Sequence, residues 1–240
     1  MAKYDIVYIL KNDINSEELR YSLRSVCENF PYRKIFFVGG CPKDIVPDIY
    51  IAHEQSGFTK WQKSRSSLLK ILKNEELSDE FFLFNDDFFI LKKVKGNYIN
   101  FTNGTIERRI NELRKNTGRI SGYSAKLSEL QTRLKAKGKD NISFAVHIPM
   151  LINKKEALKI LSSEKECMFR SFYGNMANIP YQYHEDVKIY DNTSLPKFDD
   201  FLSTTDEAFK DGAVGEWIRE RFPTPCKYEI DDEVFTEEET

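Results

Sequence analysis

The 240-residue chain is poor in cysteine, and the four it has, Cys27, Cys41, Cys167 and Cys226, form no Cys-x-x-Cys pair. That spacing excludes a zinc knuckle or disulfide framework and makes a reducing compartment the default. No apolar run approaches the roughly 20 residues of a membrane span. The opening MAKYDIVYIL has neither the basic start nor the small-residue cleavage site of a secretory signal. The chain reads as soluble and cytoplasmic, with no membrane span. It also lacks an excess of one charge: 36 Lys+Arg against 38 Asp+Glu leave a formal net of -2. The total excludes neither an acidic nor a basic partner, so what matters is where the charges lie. No internal repeat is visible.

What is present is 40% apolar residues, enough for one well-filled core carrying a modest insertion. The first ninety residues alternate strand and helix patterns. DIVYIL is a β-rich run, and SEELRYSLRSVCENF offers Ser16 as an N-cap and an apolar stripe at Leu19, Leu23, Val26 and Phe30. KIFFVGG and IYIAH read as further strands, residues 59 to 73 as a helix, and FFLF as a strand covered on both faces. This alternation predicts an α/β fold with a mostly parallel sheet flanked by helices. Later, SFAVHIPMLI (143–152) reads as a strand and KKEALKILS as a helix. FLSTTDEAF and a helical GAVGEWIRERF follow, and the acidic tail from 229 to 240 reads as loosely ordered.

Residues 106 to 140 stand apart. Stripes at Ile106, Ile110 and Leu113 and at Leu127, Leu130 and Leu134, with Gly118 and Gly122 between, predict a helical hairpin inserted at about 104–140 in a single domain spanning 1–228. The segment holds ten Lys/Arg against four acids, a local net of +6 that leaves -8 for the rest of the chain. Such a hairpin either solubilises itself or grips a polyanion, such as DNA or a phosphate-rich glycan.

In FFLFNDDFFIL, Asp86 and Asp87 sit between apolar runs where a strand ends. In open α/β sheets ligands bind beyond the carboxyl ends of the strands, and an ionised carboxylate taken from water needs a partner. Oxygen ligands there suit Mg²⁺ or Mn²⁺ bridging to a diphosphate. Adjacent side chains alternate along a strand, so one aspartate is expected to ligate directly and the other to act through water or a basic neighbour. The alternative is the solvated turn of a hairpin, FFLF-NDD-FFIL. Arg20 and Arg24, four apart on one helix, can reach the same anion or can pair with Glu17 or Glu28 on a solvated face. His147 lies in an apolar strand ahead of Pro149, where a core histidine is the common explanation. His53 and His184 give weaker signals still.

Together, these segments resemble the Stealth family, which includes bacterial capsular-polysaccharide phosphotransferases and the catalytic region of the lysosomal-enzyme GlcNAc-1-phosphotransferase. The pieces, in order, are DIVYIL, EELRYSLRSVCENFPYRKIFFVGG, LSDEFFLFNDDFFI, AVHIPMLINKKEAL, and FLSTTDEAF followed by RFPTPCKYE. They cover most of the chain outside 95–140 and the tail, and LRYSLRS with FNDDFF at this separation is the more specific signature. The resemblance implies a GT-A-like, Rossmann-like transferase that uses a divalent metal and a nucleotide diphosphate sugar. It would move a sugar or sugar-1-phosphate to an acceptor hydroxyl. It also implies roles: Asp86 and Asp87 at the metal and donor phosphate, Arg20, Arg24 and Arg170 on phosphate, and His147 and Asp206 on the catalytic side. Asp87→Asn is expected to abolish turnover with the fold intact. The chain departs from the family at Leu10-Lys11-Asn12-Asp13 and over Gly57 to Ser64, which concerns the donor sugar and the bond broken. Two alternatives remain: a phage-type DNA glycosyltransferase acting on a hydroxylated base, and a non-catalytic polyanion-binding module on the same fold.

Overall fold

The computed structural model describes residues 4–12, 14, 17–117 and 121–230. In chain order these form β1 (Asp5–Leu10), α1 (Glu17–Asn29), β2 (Ile35–Gly39), β3 (Ile49–Ala52), α2 (Lys60–Leu72), β4 (Glu80–Phe84), β5 (Phe88–Ile90) and β6 (Asn100–Thr102). The helical pair α3 (Ile106–Thr117) and α4 (Gly122–Ala136) follows. Then come β7 (Met150–Asn153), α5 (Lys154–Ser162), α6 (Phe169–Met176), β8 (Tyr181–Tyr183), β9 (Lys188–Ile189), β10 (Phe201–Thr204), α7 (Asp206–Asp211) and α8 (Ala213–Arg221).

The main sheet runs β3-β2-β1-β4-β7, parallel except for β7, which lies antiparallel to β4 at one edge. Because side chains alternate along a strand, β1 feeds two cores at once. Ile6, Tyr8 and Leu10 share one with Leu19, Leu23 and Val26 of α1, while Val7 shares the other with Leu68 and Ile71 of α2 and Leu161 of α5. The same division explains why FFLF is apolar throughout: Phe81 and Leu83 fill one layer, Phe82 and Phe84 the other. Truncating any of these phenylalanines to alanine would cost about 3–5 kcal/mol. This is the α/β architecture that the alternation of elements predicts.

Local signals set several boundaries. The Thr59 hydroxyl accepts from the Gln62 N–H at 3.2 Å while the Gln62 side chain accepts from the Thr59 N–H at 3.3 Å, a reciprocal cap that starts α2. Ser16, Gly118 and residues 231–240 lie outside the described residues. The hairpin forms as expected, but its apolar face is no surface feature. Ile106, Ile110, Leu127, Leu130 and Leu134 are buried in the same core as Val7 and Phe81.

Two expectations are corrected. The strand expected over 143–152 is confined to Met150–Asn153. Ahead of it the chain bends through His147, whose φ of +52° is left-handed, and side chains take the backbone groups a ladder would have used. The Thr102 hydroxyl donates to the Ser143 carbonyl at 2.7 Å, and Arg170 donates to the Ile148 carbonyl at 2.8 Å. FFLF-NDD-FFIL is not a hairpin either, because β5 leaves the main sheet to pair antiparallel with β10 in a small β5-β10-β9 sheet. No helix among the described residues is long and apolar enough to cross a membrane.

Candidate active site

The carboxyl ends of β1, β3 and β4 open onto a cavity of about 720 Å³. Its floor depends on two glycines. A Cβ on Gly39, at φ +109°, would lie 2.2 Å from the Leu10 carbonyl oxygen, and one on Gly40 would lie 2.1 Å from that of Lys11. Only glycine lets β2 end this close to the exit of β1. Lys11 and Asn12 then line the cavity, and Gln55, beyond β3, donates to the Leu10 carbonyl at 2.9 Å. Lys60, Trp61 and Lys63 line it from the start of α2, and Tyr123 from α4. Among the described residues, Lys11, Lys60 and Lys63 carry no ion pair, so this wall presents positive charge.

Beyond β4 the chain turns, and the two aspartates part. Asp86 lines the cavity, where burial and the neighbouring Asp87 charge raise its carboxyl to about 6. Asp87 is turned inward and is 7% exposed. Its Oδ2 accepts from Lys188 Nζ at 2.6 Å and from the Ser203 hydroxyl at 2.9 Å, while its buried Oδ1 has no hydrogen-bond partner among the described residues. Burial alone would lower the Lys188 ammonium, but Asp87 carries it above its ordinary value. Asp87→Asn would therefore strand a buried ammonium, which corrects the expectation that this substitution spares the fold. Asp86→Asn is the cleaner probe. Glu18 of α1 joins the acidic group: it accepts from the Thr204 hydroxyl at 2.7 Å, and burial, assisted by Asp87, Asp86 and Asp206, raises it to about 7.

The expected arginines separate. Arg170, on α6, lines the cavity and among the described residues donates to uncharged acceptors alone: the Ile148 and Leu83 carbonyls at 2.8 and 3.2 Å and the Asn85 side chain at 3.4 Å. Burial pulls it down to about 10, which leaves it charged at neutral pH. Arg20 and Arg24 do not line the cavity. Arg24 is held by both oxygens of Glu229 at 2.7 Å and by the Phe222 and Pro223 carbonyls at 3.0 Å; Arg20 pairs with Asp44. Where a phosphate contact was expected there are ion pairs, which tie α1 through Arg24 to the segment after α8 and through Arg20 to the loop between β2 and β3. Neither the Glu17 nor the Glu28 pairing holds: Glu17 takes Arg219 and Glu28 takes Arg221.

His147 lines the cavity, and its Nδ1 lies 2.7 Å from Asp186 Oδ1. Asp206 is exposed, opens α7 behind the Thr205 cap, and does not line the cavity; its charge is felt at Asp86 and Glu18. Glu18, Asp186 and Lys188 were missed by the sequence reading because their partners lie 39 to 186 positions away. The alternation Asp186-Val187-Lys188, charged, apolar, charged, was the one local sign that two side chains share a face.

The basic hairpin is less cationic in space than in sequence. Arg109 pairs with Glu112 and Asp186, Arg108 with Glu112, Lys126 with Glu129 and Glu166, and Arg133 and Lys137 with Glu164. Three of these carboxylates, Asp186, Glu164 and Glu166, lie outside the hairpin.

Compared by sequence, the chain matches no family model and no curated protein. By structure it is similar to the galactosyltransferase LgtC in complex with donor and acceptor sugar analogues, with a TM-score of 0.53 and 10% identity over 95% of this chain and 98% of that one. An active-site mutant of LgtC gives 0.45, at 13% identity over 94% and 85%. The glycosyltransferase GlyE of Streptococcus pneumoniae TIGR4 gives 0.39, at 13% identity over 78% and 46%. The first likeness shows a shared fold, the GT-A-like α/β architecture.

Proposed function

We propose that the protein transfers a sugar or a sugar-1-phosphate from a nucleotide diphosphate sugar to an acceptor hydroxyl, as its resemblance to the Stealth family implies. One observation carries this reading. The cavity at the strand ends brings an acidic residue, Asp86, together with a histidine and cations that have no ion pair among the described residues. A donor diphosphate needs positive charge along its length, and Lys11, Lys60, Lys63 and Arg170 supply it.

A divalent cation fits this site only as a joint ligand of protein and donor. Among the described residues no three His, Cys, Asp or Glu side chains are grouped to hold a metal. Asp86 faces the cavity, however, and burial and the neighbouring Asp87 charge raise its carboxyl, which suits an ion taking one carboxylate and completing its shell with water and phosphate. When bound, Mg²⁺ or Mn²⁺ would neutralise charge on the departing phosphate oxygens.

The chain's own residues then do the rest. Arg170 holds negative charge at the β4 end, and Lys188 fixes Asp87 so that Asp86 alone reaches the cavity. His147, as the acceptor-side base, takes the hydroxyl proton. The acceptor oxygen either attacks the anomeric carbon, breaking its bond to the phosphate oxygen, or attacks the sugar-bearing phosphorus, breaking the bridge of the diphosphate. Asp206 acts at long range, through its charge on Asp86 and Glu18.

The test is a thermal-shift panel of nucleotide diphosphate sugars with and without Mn²⁺, because a ligand that binds only the folded state raises Tm. One donor is expected to raise Tm in a Mn²⁺-dependent way in the wild type and not in Asp86→Asn. A panel in which no nucleotide sugar shifts the transition would overturn the reading.

A further inference from the structure

The short segment Asp186-Val187-Lys188 contacts both Asp87, the neighbour of the cavity-lining Asp86, and the cavity-lining His147. Lys188 Nζ donates to Asp87 Oδ2 at 2.6 Å, and Asp186 Oδ1 lies 2.7 Å from His147 Nδ1. The Lys188 backbone N–H donates to that same Asp186 oxygen at 3.3 Å, which fixes the carboxylate's orientation. Its second oxygen, Oδ2, has no hydrogen-bond partner among the described residues, but Arg109 Nη2 of α3 stands 3.6 Å away and sets a positive charge beside the carboxylate. His147 itself sits in a left-handed backbone conformation, which a non-glycine residue keeps only where its surroundings fix it.

We propose that Asp186, backed by Arg109 of the inserted hairpin, is the positioning residue that makes His147 a base toward the acceptor hydroxyl. This inference rests on the transferase reading given above. An ionised carboxylate can only accept, so the proton of a neutral His147 must lie on Nδ1. Nε2 is then left with its lone pair, and among the described residues no protein group bonds it. The acceptor O–H bond breaks as its oxygen attacks the donor. The proton goes to Nε2, the imidazolium that forms is stabilised by Asp186, and the electron pair of the breaking donor bond leaves with the phosphate. The hairpin thus has a task that its net charge does not suggest: Arg109 reaches the site from behind Asp186, and Tyr123 lines the cavity.

The experiment pairs ¹⁵N imidazole spectra of the full chain with transfer kinetics, in the wild type and in Asp186→Ala. The wild type is expected to show His147 protonated at Nδ1. Asp186→Ala, with no acceptor there, is expected to move the proton to Nε2 and to lower kcat by roughly 10²-fold with donor KM unchanged. A wild type protonated at Nε2, or a variant whose kcat is unchanged, overturns the proposal. The wild-type spectrum decides by itself should the variant fail to fold. A protein that transfers nothing yet shows the Nδ1–H form has lost the transferase reading, whereas one that transfers with the Nε2–H form has lost only this inference.

Discussion

Two corners of the molecule hold arginines expected to meet phosphate, and they differ in what surrounds the guanidinium. Where α1 meets the segment after α8, Arg24 faces the carboxylate of Glu229, and both side chains are under one-tenth exposed. Where β4 meets α6, Arg170 faces carbonyls and an amide, none of them charged. The first corner is electrically closed. The second keeps a net positive charge beside a cavity, the condition an anionic ligand needs. Both guanidinium groups are hydrogen-bonded, so the sign left over after pairing is the informative quantity.

Three experiments would sharpen or break this contrast. The largest effect is expected at the closed corner: Arg24→Met strands a buried carboxylate and should cost about 3–5 kcal/mol in urea unfolding, with donor binding unchanged. Burial would raise Glu229, but Arg24 and the Cys226 N–H bring it below its ordinary value. Its contribution is thus present above about pH 4.5 and is lost as the pH falls through the folded value. Loss of donor binding with stability intact would reverse the roles of the two corners.

Glu18, on the same helix as Arg24, turns the other way, toward the acids at the cavity. Its carboxyl is raised from 4.5 to about 7, so the folded state binds its proton more tightly than the unfolded chain does. Stability linked to this group is therefore complete below pH 4.5 and declines as pH rises toward 7. In metal-free buffer, Glu18→Gln should gain up to about 3 kcal/mol at pH 8 and almost nothing at the acid end of that window. Equal unfolding curves for the two proteins across the range would contradict the raised value. The smallest effect is expected for Arg170→Lys, which keeps the charge and loses the planar fork. Donor Kd should weaken about 10-fold, near 1.4 kcal/mol, by titration calorimetry.

Much of the fold was legible because it is written in local periodicity. FFLF announced a doubly buried strand, the stripe from Leu19 to Phe30 announced α1, and two leucine-rich stripes announced the hairpin. The strand expected through His147 failed because Thr102 and Arg170, far away in sequence, claim its carbonyls. The site was legible at the position of Asp86, where a strand ends, but the division of labour between Asp86 and Asp87 depends on Lys188 and Ser203, 101 and 116 positions on. Spacing four apart placed Arg20 and Arg24 on one face of α1 without saying that Asp44 and Glu229 would be waiting there. The +6 of residues 106–140 was a true count of charge along the chain and a poor guide to charge in space.

The hairpin's inner face has a consequence for how this chain can vary. Ile106, Ile110, Leu127, Leu130 and Leu134 lie in one continuous interior with Val7 and Phe81 of the sheet. Splicing residue 103 directly to 141 would not trim a decoration; it would peel the wall from that interior and leave a greasy trough open to water. A shorter cousin of this protein would have to grow new bulk on that side before it could dispense with the hairpin.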